Sequence, residues 1–291
     1  MQKPHFLHLS IMRILLLTLT LLGLNTSLQA NKIDHLHTKQ DVERFLIRDV
    51  SRKFKNFSIF ESHPGRDSNA LSNSFFKLDM NGDGLTDLVV SCGSVWVIID
   101  KGKEKYSPFT LIQSGEMLHQ TLIGIDSTSK IKKLVIRRRY SQETILDTLA
   151  WQAGGFMEYN ATPFEPFQFQ GIKVSTTMCF GTCPVFEMTV DPNGKALYNA
   201  IEYNDERGRF KGTIPDKWLN TMLGVLRYLP LDRLRDKYAV DWTDDQTITV
   251  EIRYNGKVKT IGDYGELGTF GLKRLYGFFF YWKEKVEWEK E

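Results

Sequence analysis

The chain has 291 residues, of which 42% are hydrophobic and 25% charged, a makeup typical of folded globular proteins rather than disordered ones. Two of its 38 Lys and Arg residues lie in the first 30 residues, so 36 basic residues balance 35 acidic ones in the remainder. That balance argues against a general nucleic-acid-binding protein. At roughly 150 residues per domain, the length predicts two domains.

The N-terminal segment has the order of a secretory signal peptide. Arg13 precedes an apolar run, residues 14–24, and polar residues follow at positions 25–27. The run is shorter than the about 20 residues that a membrane-spanning helix needs, so we expect no permanent membrane anchor. We therefore predict a signal peptide over residues 1–30, cleaved after Ala30, with Met1 or Met12 as the start. The protein is expected to be periplasmic or secreted.

The first predicted element is an amphipathic helix. Thr38 and Asp41 have the spacing of a capping box. The apolar residues that follow at helical spacing are Val42, Phe45, Leu46, Val50 and Phe54. The pattern then changes to short β-branched and aromatic runs separated by turn residues, which predict a mainly antiparallel sheet. These runs cover residues 88–91, 95–99, 121–125, 134–138, 144–151 and 156–159.

A loop rich in oxygen ligands lies between two of these strands. Side-chain oxygens occur at loop positions one, three, five and nine, with a glycine at position six and a backbone carbonyl at position seven, a set that can bind Ca²⁺. The predicted ligands are Asp79, Asn81, Asp83, Leu85 through its carbonyl, and Asp87. The alternative is a plain hairpin turn, because Asn, Gly and Asp favour turns for backbone reasons alone.

The loop does not match an EF-hand, because Val90 stands at position twelve and strands flank it. It resembles the calcium loops of FG-GAP and related repeat families, which join two β-strands. The resemblance covers about fifteen residues and implies a structural Ca²⁺, but no propeller.

A domain boundary is predicted over residues 162–170, where Pro163 and Pro166 interrupt any regular period. The predicted domains are residues 31–165 and 166–291. The second contains, in order, three strands, a helix, two strands and a helix, with hairpins at Asn193-Gly194 and Asn255-Gly256. The expected fold class is α+β, with two domains that are each a mainly antiparallel sheet with one or two packed helices.

The expected state of the three cysteines depends on the compartment in which the protein is located. Because disulfides persist in oxidising compartments, export favours a disulfide between Cys179 and Cys183, across the turn that contains Gly181. Cys92 would then have no disulfide partner in the chain. Thiol redox chemistry is an alternative, although its usual motif has a two-residue spacer and opens a helix. Copper binding is another, because the pair resembles the motif of Sco copper-delivery proteins, but no His follows His119. Reduced structural thiols also remain open.

The C-terminal 120 residues resemble a bacterial family known as domain of unknown function 6438. The resemblance rests on residues 171–184 with Cys179-Phe-Gly-Thr-Cys183-Pro184 as its most specific element, on the Asn193-Gly194 hairpin, on the helix with Trp218 and on the strand pair over residues 247–261. It supports a domain assignment and implies no activity.

No Walker-type phosphate loop, G-x-S-x-G elbow or H-E-x-x-H motif occurs. A basic cluster over residues 130–139 could meet an anionic surface polymer, although a solvated sheet face is the commoner explanation. We therefore expect a noncatalytic envelope or secreted protein that binds a protein partner, an envelope polymer or another ligand. The alternative is an envelope-polymer hydrolase with its site at the domain seam, where Asp241, Asp244 and Asp245 could supply acid and base groups.

Overall fold

The computed structural model describes residues 31–56, 74–92, 94–111, 119–140, 143–163 and 166–291. The predicted signal peptide, residues 1–30, lies outside the described residues. The predicted α+β class is confirmed, since three mainly antiparallel sheets dominate and few helices accompany them.

The strands before residue 160 form two four-stranded antiparallel sheets in which spatial order equals chain order. The first sheet contains β1 (Phe75–Leu78), β2 (Asp87–Cys92), β3 (Ser94–Asp100) and β4 (Tyr106–Thr110). The second contains β5 (His119–Asp126), β6 (Lys133–Tyr140), β7 (Glu143–Gln152) and β8 (Gly155–Glu158). Strand β4 was not predicted because Pro108 interrupts its apolar run, and proline is tolerated there because β4 lies at the sheet edge.

The N-terminal helical segment covers one face of the first sheet. Helix α1 (Lys39–Phe45) begins with the predicted capping box, in which the Thr38 side chain accepts from the backbone N–H of Asp41. It continues as a π-helical turn (Leu46–Val50) and, after extended Ser51, as a 3₁₀ helix (Arg52–Asn56) rather than as one regular helix. Its apolar side chains pack against β2 and β3. The other face of the sheet shares a core with the second sheet.

The C-terminal half forms one eight-stranded sheet with the order β13-β15-β14-β9-β10-β11-β12-β16, antiparallel except for the β13–β15 pair. Its strands are β9 (Phe169–Thr176), β10 (Val185–Val190), β11 (Lys195–Glu202), β12 (Gly208–Thr213), β13 (Lys237–Ala239), β14 (Thr247–Tyr254), β15 (Lys257–Tyr264) and β16 (Glu289–Lys290). The sequence did not predict β12, β13 or β16, which are respectively glycine-containing, three residues long and two residues long.

Two helices cover one face of this sheet. Helix α2 (Asp216–Tyr228) ends before Pro230, as predicted, and buries Leu219, Met222, Val225 and Leu226. Helix α3 (Phe270–Lys285) buries a row of large side chains that includes Leu272, Leu275, Tyr276, Phe279 and Trp282. Within the described residues, no helix combines the length and the apolar character that a membrane crossing requires.

Helix α3 also joins the sheet to the N-terminal half. Phe270, at its start, belongs to the core between the two four-stranded sheets, while Met157 of β8 belongs to the core of the eight-stranded sheet. The two predicted domains are therefore packed together along α3 and the β7–β8 hairpin.

Candidate functional site

The face of the eight-stranded sheet that α2 and α3 leave open is polar. Along each central strand alternate residues are buried under the helices, and the residues between them point to the opposite side. The strand register places five of these outward residues in one row across β14, β9, β10, β11 and β12: Glu251, Lys173, Thr189, Leu197 and Lys211. This row therefore lies on the face of the sheet opposite the buried core.

A groove of about 1040 Å³ crosses this open face. Its walls include the turn between β10 and β11 and the chain that follows α3. The charged residues that line it are Lys173, Lys195, Lys211, Arg253 and Lys285 against Asp191, Glu287 and Glu289. The lining therefore has an excess of two positive charges, so the groove favours an anionic ligand.

Some charged residues of the groove lining already have hydrogen-bond or ion-pair partners among the described residues, and others have no ion-pair partner there. Asp191 accepts from the backbone N–H groups of Asn193 and Lys195, which fixes its carboxylate within the turn. Lys211 lies 3.6 Å from the Glu289 carboxylate, an exposed pair. By contrast, Lys195 and Lys285 make no ion pair with any residue that the structure describes.

Two further cations of the groove are paired, but only at the surface. Lys173 lies 3.1 Å from Glu187, and Arg253 lies 2.7 Å from Glu251, with all four side chains substantially exposed. Exposed pairs of this kind contribute about 0–1 kcal/mol and exchange readily for another anion. An incoming polyanion can thus compete for these cations at low cost.

The predicted calcium loop is closed by its own side chains. Asp79 accepts from the backbone N–H groups of Gly82, Asp83 and Gly84, at 2.7, 3.2 and 2.9 Å. Asn81 donates to the Asp83 carboxylate at 2.8 Å. Gly82 and Gly84 have φ of 77° and 85°, which explains the need for glycine at both turns.

Asp87 lies at the root of the loop and is fully buried. Its carboxylate accepts from the backbone N–H groups of Met80 and Asp100, both at 2.8 Å, and so ties the loop to β3. Burial, assisted by the nearby charges of Asp83 and Asp79, raises the pKa of Asp87 to about 7, although the two backbone N–H groups oppose the shift.

The all-oxygen donor set of the loop is the chemistry that Ca²⁺ prefers. Across the described ranges, however, no group of three or more His, Cys, Asp or Glu side chains is arranged to hold a metal ion. Asn81 and the Leu85 carbonyl would have to complete the set beside Asp79, Asp83 and Asp87.

Cys179 and Cys183 form the predicted disulfide, with their Cα atoms 5.7 Å apart. The loop that carries it is held at its base, where Gln246 donates to the carbonyls of Thr177 and Pro184. Its tip is open, since Phe180 is 89% exposed. The disulfide therefore shapes an exposed loop outside the core. Cys92 ends β2.

The three aspartates of the alternative hydrolase site lie in the loop after β13, near the disulfide loop. Asp245 accepts from the Trp242 indole N–H and from the backbone N–H of Gln246. Asp244 accepts from the Thr243 hydroxyl and, through its carbonyl, from the Phe180 N–H. These bonds are those of a turn, and they engage the carboxylates of Asp244 and Asp245 with neighbouring residues.

Partly buried hydrogen bonds connect the two halves at the seam. Glu158 accepts from the backbone N–H groups of Phe270 and Gly271, and Arg274 donates to the carbonyls of Gln152 and Ala153.

Within the predicted basic cluster, Arg138 is buried and paired with Asp147 at 2.5 Å. Arg138 also donates to the Leu267 carbonyl across the seam at 3.4 Å, and Arg137 beside it is buried as well, so the cluster as a whole is not a solvated basic surface.

The comparison with protein families gives one match. Residues 170–280 match the family described as "Domain of unknown function (DUF6438)". The predicted resemblance of the C-terminal region is confirmed by this match. Comparison with curated proteins and with solved structures gave no match. The matched region contains most of the groove and the disulfide loop.

Proposed function

We propose that this chain is an exported, noncatalytic protein that binds an extended anionic polymer of the cell envelope along the groove of its open sheet face. A structural Ca²⁺ in the loop Asp79–Asp87 is part of the proposal. The single observation that carries it is the pair Lys195 and Lys285, two groove cations without an ion-pair partner among the described residues.

Three features support an extended ligand rather than a small enclosed one. The groove lies on a sheet face, its cations are distributed over five separate elements, and Leu197 contributes an exposed apolar surface between them. A polymer with regularly spaced carboxylates or phosphates can reach several of these cations at once, which makes weak single contacts additive.

The disulfide supports export, because disulfides persist mainly in oxidising compartments. In such a compartment millimolar calcium keeps even a weak site loaded, so the loop Asp79–Asp87 would stay closed and hold β1 against β2. Its role would be structural, since the loop belongs to the first sheet and the groove to the third.

The test is a binding titration of the purified protein with polygalacturonate, a regular polycarboxylate, and with neutral dextran. We expect binding to the polyanion alone, weakened by rising salt. Replacing Lys195→Glu and Lys285→Glu together should weaken binding at least about tenfold. Lys217→Glu with Lys237→Glu, at two exposed sites outside the groove lining, is the control with the same change of charge. Absence of polyanion binding, or equal loss in the control, would refute the proposal.

A further inference from the structure

A second, smaller pocket lies between α2 and α3, on the other side of the sheet from the groove. It has a volume of about 280 Å³. Its walls are aromatic: Trp218 lies edge-on to Tyr281 at 5.1 Å, and Phe278 stacks on Trp282 at 5.7 Å. Gly277 is exposed at its rim, and a Cβ built there would meet no atom within 4 Å.

A cation without a counterion lines this pocket. The Arg274 guanidinium donates to the carbonyl of Gln152 at 2.7 Å and to that of Ala153, which are both neutral acceptors. No carboxylate of the described chain forms an ion pair with it. Burial lowers the pKa of Arg274 to about 10. A desolvated cation is costly unless an anion compensates it, so this site is electrostatically incomplete.

One buried hydrogen-bond donor of the lining residues is unsatisfied among the described residues. The Trp282 side chain is fully buried in the pocket lining, and its Nε1 has no acceptor among the residues that the structure describes. An unsatisfied buried donor costs about 1–3 kcal/mol, which an acceptor atom would recover. The need of Arg274 is for an anion, and the surrounding walls are apolar, whereas the Trp282 Nε1 atom is buried and has almost no accessible surface of its own.

We infer that the pocket between α2 and α3 binds a small molecule that joins an apolar ring to a carboxylate. The ring lies between the aromatic walls, and the carboxylate faces Arg274. The volume fits this class, because a cavity of roughly 150 Å³ already accepts one benzene. The remaining space accommodates a second ring or a short acidic side chain.

The probes are indole-3-acetate and its neutral amide, indole-3-acetamide, in calorimetric titrations of the whole protein. The two have nearly the same shape, so their comparison isolates the charge. We expect the carboxylate to bind at least about tenfold more tightly than the amide. Equal affinity, or no binding of the carboxylate, would overturn the inference.

Two variants locate the site. Gly277→Leu adds an apolar side chain at the pocket rim, where a Cβ meets no atom within 4 Å, and should abolish binding, whereas Asn220→Leu, on the exposed face of α2, should leave it unchanged. Unchanged affinity in Gly277→Leu would place the ligand elsewhere and contradict the inference. Because Lys195 and Lys285 lie outside this pocket, their variants should bind the probe normally.

Discussion

Glu158, the last residue of β8, caps the first turn of α3 by accepting from the backbone N–H of Gly271 at 3.0 Å. The same carboxylate accepts from Phe270 at 2.6 Å, and the Thr269 hydroxyl accepts from Leu272. A helix that packs on the C-terminal sheet is thus begun by a side chain from the N-terminal half. The placement of α3 beside the groove and the aromatic pocket consequently depends on contacts across the seam.

Replacing Glu158 by Gln should destabilise the protein. The amide offers only one acceptor atom for two N–H groups and loses the favourable charge at a helix N-terminus. We expect the free energy of unfolding to fall by about 1–3 kcal/mol in urea titrations. Glu206→Gln, at an exposed position, is the control. Equal stability of the two variants would show that the cap contributes nothing.

Two glycines of α3 should respond to alanine with opposite signs. A Cβ at Gly271 would lie 2.6 Å from the Leu229 side chain, so Gly271→Ala should cost about 1–3 kcal/mol by overpacking. A Cβ at Gly277 meets open space, so Gly277→Ala should add about 0.5–1 kcal/mol through helix propensity. Thermal unfolding of both variants distinguishes the signs. A stabilised Gly271→Ala would contradict the close packing of α3 against Leu229.

Asp263 makes the stability pH-dependent. Burial raises its pKa from 3.8 to about 6, although the Gly268 N–H and the Tyr276 hydroxyl donate to it. The folded state therefore holds the proton more tightly than the unfolded state. The stability contributed by this group is present below pH 4 and is lost as the pH rises through 6, by about 3 kcal/mol.

Asp263→Asn keeps a neutral side chain at every pH and should flatten this part of the profile. The measurement is urea unfolding of both proteins between pH 4 and pH 7, and the relevant quantity is the difference between the two curves. We expect the wild type to lose stability relative to the variant as the pH rises. Parallel curves would contradict this prediction.

Reduction of the disulfide should have a small effect on global stability. By the chain-entropy relation, a ring closed between Cys179 and Cys183 contributes about 2 kcal/mol at most. In a Cys92→Ser background, so that only this pair responds to reductant, we expect the melting temperature to fall by a few degrees. Complete unfolding on reduction at 25 °C would mean that the loop supports the core.

Calcium should raise the melting temperature. A ligand at a hundred times its Kd stabilises the folded state by about 2.7 kcal/mol, which is several degrees for a domain of this size. Asp79→Asn with Asp83→Asn should remove the response to calcium and chelator. Asp191→Asn is a matched control, because Asp191 also closes a turn through backbone N–H groups but lacks the ligand spacing. If calcium leaves the melting temperature of the wild type unchanged, the loop is better explained as a plain hairpin turn.

The sequence predicted those parts of the fold that local patterns determine. The Thr38 capping box, the Asn193-Gly194 hairpin and the stop of α2 before Pro230 each depend on residues a few positions apart. The cysteine pair was likewise accessible, because its partners are four residues apart.

The groove and the seam could not be predicted in the same way. Lys195 and Lys285 are ninety residues apart, and they line the same groove because the chain after α3 returns to the sheet edge, where β16 pairs with β12. Glu158 and Gly271 are separated by 113 positions. No sequence pattern near either residue indicates that Glu158 caps a helix so far away in the chain. Such relationships follow from tertiary packing, which a single sequence does not encode in its periodicity.

The most direct test of the proposed binding face is amine footprinting with acetic anhydride, with and without polygalacturonate, read out by peptide mass spectrometry. Lys195 and Lys285 should lose most of their reactivity when the polymer is bound, while Lys217 on α2 reacts equally in both samples. Undiminished acetylation of Lys195 and Lys285 in the presence of bound polymer would contradict the assignment of the groove.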